Sequence, residues 1–163
     1  MIVTDKEELT KSCKYVSLLE APSILKSLEE ELEKAGSGVG LAANQIGIDA
    51  RVCIIKYKDI IHLVNPEIVA LEDLREFHYE GCLSFPGEFI WTKRYNEVFI
   101  KDSLHPSGIV CTGFEAVVVQ HEIGHLNGET MHDYQIPRLS RNDLCWCGKK
   151  KYKKCHMGKI ISA

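Results

Sequence analysis

The spacing of apolar residues predicts two helices. In the first, over residues 22–35, one face carries Ile24, Leu25, Leu28, Leu32 and Ala35. Pro22 suits the first turn of this helix, and Gly36 ends it. The second helix begins near Gly113, continues through a run of apolar residues and ends before Asn127-Gly128.

Between the two helices, short runs of apolar and β-branched residues predict antiparallel strands. These runs are residues 51–57, 60–65, 67–71, 75–80, 97–102 and 108–112. Turn signals such as Lys58-Asp59 separate them. The pattern predicts an α+β fold in which antiparallel strands wrap around a buried helix.

Length and composition are typical of one globular domain with a short appendage. The chain has 163 residues, of which 45% are hydrophobic and 26% are charged. No apolar run reaches the roughly 18 residues that a membrane span requires. The polar, acidic N-terminus is unlike a secretory signal or a transit peptide. We therefore expect a cytoplasmic protein with no membrane partner.

Charge divides the chain near Pro137. Residues 138–163, hereafter the tail, contain eight lysines and arginines and a single acidic residue, Asp143, although the whole chain has a net charge of −3. This change of sign predicts a body at residues 1–137 and a basic tail at 138–163. The tail could dock on an acidic surface or on phosphates, or its lysines could simply keep a small motif soluble.

An H-E-x-x-H motif lies in the second predicted helix, at His121-Glu122-Ile123-Gly124-His125. Positions i and i+4 share a helical face, so both imidazoles could bind one cation with Glu122 beside it. A catalytic metal site usually takes a third protein ligand and a water whose pKa falls to roughly 7. Glu122 could take the proton of that water and return it to a leaving amine. The structural alternative is a pair of packed or hydrogen-bonded histidines.

Two further segments favour catalysis. Glu80-Gly81-Cys82-Leu83-Ser84 follows a predicted strand, and Gly38-Val39-Gly40-Leu41-Ala42-Ala43-Asn44-Gln45 opens the first long loop. Together with the H-E-x-x-H motif, in this order, they resemble the three motifs of peptide deformylases. The resemblance spans roughly residues 1–135.

The resemblance implies a function and a set of catalytic residues. It implies Cys82, His121 and His125 as metal ligands, Glu122 as general acid/base, and the Gln45 side-chain amide and the Leu83 backbone N–H as donors to the substrate's carbonyl oxygen. The family removes the formyl group from the N-terminal formyl-methionine of new polypeptides. Its members use ferrous iron natively and often accept zinc, nickel or cobalt, and one thiolate with two imidazoles suits any of these.

The resemblance also implies how the substrate is held. An extended peptide would lie against Val39-Gly40 and Gly81 as an added strand. A methionine pocket would be formed by Val39, Phe114, Val117 and Val118, which would fit a helix core equally well. Glu80 and Arg94 would form a buried supporting ion pair. The chain departs from the family at Gly124, where an acidic residue is usual, and at Phe89, where an arginine is often found.

The tail contains a second candidate metal site. Its Cys145, Cys147, Cys155 and His156 form a C-x-C and C-H set, and the bunching of three of the seven cysteines favours metal ligation over disulfides in a reducing compartment. The segment is similar to the zinc-binding motif at the end of the SecA translocation motor, although the linker between Cys147 and Cys155 is one residue short. The similarity implies a structural zinc with four protein ligands, and a docking module for the ribosome or a protein partner.

Two other functions remain open from the sequence. The H-E-x-x-H motif alone would suit a metallopeptidase, but that class takes its third ligand from Glu, His or Asp rather than from cysteine. The other is an inactive, deformylase-like adaptor that binds only through its tail. We predict a metallohydrolase that cleaves a linear amide, because all the residues that the three motifs require are present.

Overall fold

The computed structural model describes residues 1–163. Its helices are α1 (Lys6–Leu9), α2 (Ala21–Ala35) and α3 (Gly113–Leu126). Its strands are β1 (Gly40–Ala42), β2 (Val52–Lys56), β3 (Ile60–Val64), β4 (Glu67–Cys82), β5 (Phe85–Lys101) and β6 (Ile109–Thr112). Short 3₁₀ segments occur at Ala43–Ile46, Met131–Tyr134 and Tyr152–Lys154. None of the helices combines the length and the apolar character needed to cross a membrane.

The strands form two antiparallel sheets, which confirms the mixed fold with antiparallel strands. The strand orders are β1-β2-β3 and β4-β5-β6. Helix α3 packs against both sheets: its Val119 and Ile123 lie in one hydrophobic core with Ile55 of β2 and Ile100 of β5. Most of its residues are buried, as expected for a helix that is apolar on nearly every side.

Strand β2 is buried on both faces. Its Cys53 and Ile55 belong to the core that surrounds α3, whereas Val52 and Ile54 pack with the apolar face of α2. Alternate residues of a strand point to opposite faces, so this short strand connects two cores. Helix α2 ends at Gly36, which has a left-handed φ of 69°, as its sequence predicts.

Strands β4 and β5 form a hairpin that is longer than the sequence pattern predicted. The predicted strands 67–71 and 75–80 are parts of the single strand β4, and the predicted strand 97–102 is only the end of β5. Asp73 and Gly87 adopt left-handed φ values of 65° and 81°, but cross-strand pairing resumes beyond each of them, so both strands continue. The short elements β1 and α1 were not predicted.

A bulge near the end of β4 redirects its side chains. Phe77 and Glu80 are three residues apart and would face opposite sides of a regular strand. The register shifts between them, and Tyr79 adopts a φ of 64°. Both side chains consequently face α3: Phe77 packs against Val117, and Glu80 contacts His121.

We predict that Gly124→Ala stabilises the protein. Gly124 lies inside α3, and a Cβ atom there would meet only the Cβ of Glu129, at 3.9 Å. Alanine is favoured over glycine in a helix interior by about 1 kcal/mol, so the free energy of unfolding from urea denaturation should rise by up to that amount. Gly36→Ala is the matched control and should lower it, because its φ is left-handed. A loss of stability in Gly124→Ala would contradict the prediction.

Candidate active site

Two elements bring the three predicted metal ligands together. Cys82 is the last residue of β4, and His121 and His125 are one turn apart on α3. The Sγ of Cys82 lies 3.4 Å from Nε2 of His125, which lies 3.1 Å from Nε2 of His121. One thiolate and two imidazoles with donor atoms this close fit a divalent transition metal and leave a coordination position for water or substrate.

Glu122 lies beside this cluster and is buried. Its Oε2 has no hydrogen-bond partner within the protein, as expected for a group that acts on a bound molecule. Burial raises the pKa of Glu122 to about 7, although the neighbouring His121 opposes the increase. A carboxyl group with this pKa can both accept and donate a proton near neutral pH.

Gly40 is required by the position of Glu122. A Cβ atom at residue 40 would lie 2.9 Å from both Cγ and Oε1 of Glu122 and 3.0 Å from Val118. The sequence predicted that Gly40 allows close approach of a peptide. The structure adds a second reason for this glycine, because β1 must pass against the carboxylate itself.

Glu80 orients one of the histidines. Its carboxylate is almost fully buried, accepts hydrogen bonds from Arg94 at 2.7 and 2.8 Å and from Thr92 at 2.7 Å, and lies 2.8 Å from Nδ1 of His121. Burial alone would raise the pKa of Glu80, but the Arg94 charge and these hydrogen bonds hold it well below its usual value. The Nε2 atom of His121 is thereby directed towards Cys82 and His125. Thr92 was not identified from the sequence.

Gln45 is fixed with its amide nitrogen towards the cluster. Its Oε1 accepts a hydrogen bond from the Ala42 N–H at 3.0 Å, so its Nε2 points to Cys82 Sγ, at 3.5 Å, and to Ser84 Oγ, at 3.1 Å. Leu83 lies between Cys82 and Ser84 in the sequence, in the turn that joins β4 to β5. The contact of Ser84 with Gln45 was missed, although Ser84 belongs to the motif that the sequence singled out.

A cavity of about 700 Å³ opens onto the cluster. Its lining includes every residue that the sequence placed in the substrate site: Val39, Gly40, Gly81, Phe114, Val117 and Val118. The sequence missed Phe77 on β4 and Ala163 in the tail, which also line the cavity. Phe77 lies on a predicted strand, whereas nothing in the sequence signals the position of Ala163.

Phe89 covers Gly81. A Cβ atom at residue 81 would lie 2.8 Å from the Phe89 ring, which is itself largely exposed at the edge of the cavity. The position at which the family often has an arginine therefore holds an aromatic surface in this chain.

The four predicted ligands of the tail also form a cluster. Cys145 Sγ and Cys155 Sγ each lie 3.4 Å from Nδ1 of His156, and Cys147 Sγ lies 3.3 Å from Cys155 Sγ. Donor atoms around a tetrahedral zinc are separated by roughly 3.5 to 3.8 Å. The geometry and the donor types suit one zinc ion.

A cysteine and two histidines beside a buried glutamate, on a mixed α/β fold, define a metal-dependent hydrolase. The family model described as polypeptide deformylase matches residues 1–141. Peptide deformylase 2 of Vibrio parahaemolyticus is 33% identical over 143 residues, which cover 83% of this chain and 84% of that protein.

Solved structures agree with this match. A peptide deformylase from Legionella pneumophila has a TM-score of 0.74 and 35% identity, and the alignment covers 84% of this chain and 86% of that one. A Met-Ala-Ser-bound class I type b peptide deformylase from Acinetobacter baumannii has a TM-score of 0.73 and 28% identity, with 82% and 96% covered.

The chain belongs to the peptide deformylase family. It is a metallohydrolase that removes the N-formyl group from nascent polypeptides. The comparisons give no support to the metallopeptidase alternative.

We predict that Arg94→Met destabilises the protein strongly. The change leaves the Glu80 carboxylate buried without its cation, and breaking such a pair costs about 3–5 kcal/mol. Urea denaturation measures the loss. Arg75→Met is the matched control, because its partner Asp73 is also on β4 and the pair is exposed to solvent; its cost should stay below about 1 kcal/mol. Equal effects of the two changes would show that Glu80 does not depend on Arg94.

Proposed function

We propose that Cys82, His121 and His125 hold the catalytic metal of this deformylase, natively ferrous iron, and that Glu122 transfers the proton. The convergence of the three donor atoms beside an unpartnered, buried carboxylate oxygen supports this assignment. When bound, the ion would supply a Lewis acid and a water acidic enough to lose its proton near neutral pH. Zinc, nickel or cobalt would also suit the donor set.

The side chains around the cluster account for both proton transfers. Glu122 takes the proton of the attacking water as the new C–O bond forms at the formyl carbon. It then returns that proton to the amine nitrogen of methionine as the C–N bond breaks, and formate is released. Negative charge develops on the formyl oxygen, where Nε2 of Gln45 and the N–H of Leu83 would donate hydrogen bonds.

The cavity suits an extended peptide whose first side chain is apolar. Gly40 and Gly81 both line the cavity, where an extended peptide would pair with the backbone as an additional strand. The methionine side chain would occupy the part lined by Val39, Phe114, Val117 and Val118. A long, unbranched thioether fills irregular apolar space well.

Two substitutions separate the roles of Glu122 and Cys82. Glu122→Ala should retain the metal but lower kcat for a formyl-methionyl peptide by at least about 10²-fold, because the proton transfer is lost. Cys82→Ala should lose tight metal binding as well. The measurements are formate release and metal content after anaerobic purification with iron. Cys111→Ala is the control, since this cysteine lies in β6 away from the cluster, and it should keep both properties. Wild-type rates in both Glu122→Ala and Cys82→Ala would contradict the mechanism.

We propose that the tail cluster binds a structural zinc. Cys145, Cys147, Cys155 and His156 offer four donors and leave no position open, so the ion would organise the tail rather than act on substrate. None of the seven cysteines is in a disulfide, which fits a reducing cytoplasmic location.

We further propose that the tail docks on the ribosome. Its lysines are exposed around the cluster, while Tyr152 between them is buried, so the positive charge forms an outward surface. Ribosomal RNA offers phosphates, and basic side chains bind these through counterion release. Docking would raise the local concentration of nascent substrate; a protein partner is the alternative occupant.

The docking proposal is tested with point changes, because deletion of the tail would expose Phe77 and Val117. Lys150→Ala with Lys153→Ala should weaken ribosome binding and reduce the slope of log Kd against log salt by about two. Lys6→Ala with Lys26→Ala, two exposed lysines of the body, is the control and should leave binding unchanged. If the two pairs behave alike in ribosome co-sedimentation, the ribosome is not the partner. Cys147→Ser should separately lower the zinc content by one equivalent.

A further inference from the structure

The end of the tail pairs with the free edge of β4. The N–H of Glu76 donates to the carbonyl of Lys159 at 2.9 Å, and the N–H of Ile161 donates to the carbonyl of Glu76 at 2.8 Å. Ile160 forms a parallel bridge with Glu76. Strand β4 pairs with β5 on its other side, so the tail extends this sheet by a short additional segment.

The buried carboxylate of Glu76 fastens the tail to the body. It has no solvent exposure and accepts hydrogen bonds from Trp146 Nε1 at 2.7 Å and Tyr152 Oη at 2.6 Å. The Trp146 ring stacks on His156, with the ring centres 4.3 Å apart. One body residue therefore holds the part of the tail that carries the cysteine cluster.

Beyond this anchor, the tail reaches the substrate cavity. Ile161 is 3% exposed and packs against Phe77 and Val117. Both of these line the cavity, together with Cys82 and Glu122, and Ala163 lines it directly. Ile161 thus braces the cavity wall from behind, while Ala163 forms part of its surface.

We propose that Ile161 and Ala163 complete the pocket for the first side chain of the formyl-peptide, so that the tail helps to set substrate affinity and selectivity. The inference rests on the proposed use of this cavity for methionine. Ile161 is a positioning residue that acts through Phe77 and Val117, whereas Ala163 faces the occupant. Apolar pockets of this kind discriminate by about 10- to 200-fold per methylene, so a small movement of the wall is measurable.

The first test compares Ile161→Ala with Ile160→Ala. Ile160 is the adjacent residue of the same type, but it is 39% exposed and does not line the cavity. Steady-state kinetics use formyl-Met-Ala-Ser and formyl-Phe-Ala-Ser. Ile161→Ala should raise KM for the methionyl peptide by about 10-fold with kcat changed much less, and should reduce the preference for methionine over phenylalanine. Ile160→Ala should match the wild type.

The second test adds bulk instead of removing it. Ala163→Trp should raise KM for the methionyl peptide by at least about 10-fold without lowering Tm, because the ring enters the pocket from a residue outside the core. Ser162→Trp is the matched control, since Ser162 is exposed and does not line the cavity. This pair remains informative if Ile161→Ala fails to fold.

The outcomes separate the inference from the proposed function. A wild-type enzyme that cleaves formyl-Met-Ala-Ser, with Ile161→Ala and Ala163→Trp equal to their controls, overturns the role of the tail and leaves the deformylase site intact. A fall in kcat with unchanged KM and selectivity also overturns it, because the change would then act on the catalytic cluster. A wild-type enzyme inactive on both peptides would contradict the proposed function itself.

Discussion

The carboxylate of Glu80 joins the long hairpin to α3, and the geometry of the proposed metal site depends on this junction. It receives hydrogen bonds from Arg94 and Thr92 on β5 and contacts His121 on α3. A carboxylate this deeply buried is tolerated only because all of its partners are present. The bulge at Tyr79 turns Glu80 towards the helix. A local irregularity in one strand thereby sets the direction of an imidazole on another element.

The sequence predicted those parts of the structure that depend on local patterns. Helix α2 follows from its apolar spacing and its terminal glycine, and β2 and β3 follow from short apolar runs between turn signals. The length of β4 and β5 did not follow, because it comes from cross-strand pairing that resumes beyond the irregular residues Asp73 and Gly87. Local propensity has little weight against a long ladder of such pairs.

The candidate site was predictable by residue type but not by arrangement. The spacing of the two histidines implied one shared helical face, whereas the approach of Cys82 was implied only by resemblance to a family. The contacts of Thr92 and Ser84 and the position of Ala163 arise from distant parts of the chain meeting in space. No spacing rule could identify them, since each depends on the bulge, the hairpin turn or the course of the tail.

Strand β4 carries a second buried carboxylate, Glu76, and the contrast with Glu80 explains how the tail is attached. Glu80 faces the permanent cation of Arg94, whereas Glu76 lies 3.0 Å from Nε2 of His78 and receives from the tail only the neutral donors of Trp146 and Tyr152. The tail has little apolar core of its own, so an ion at its cysteine cluster would supply much of the free energy that orders it. The same segment continues to Ile161, which packs behind the cavity wall. Binding of the ion would therefore also stabilise the position of that wall. On this proposal, ordering of the tail and completion of the pocket would be one equilibrium, with Glu76 as the connection between them.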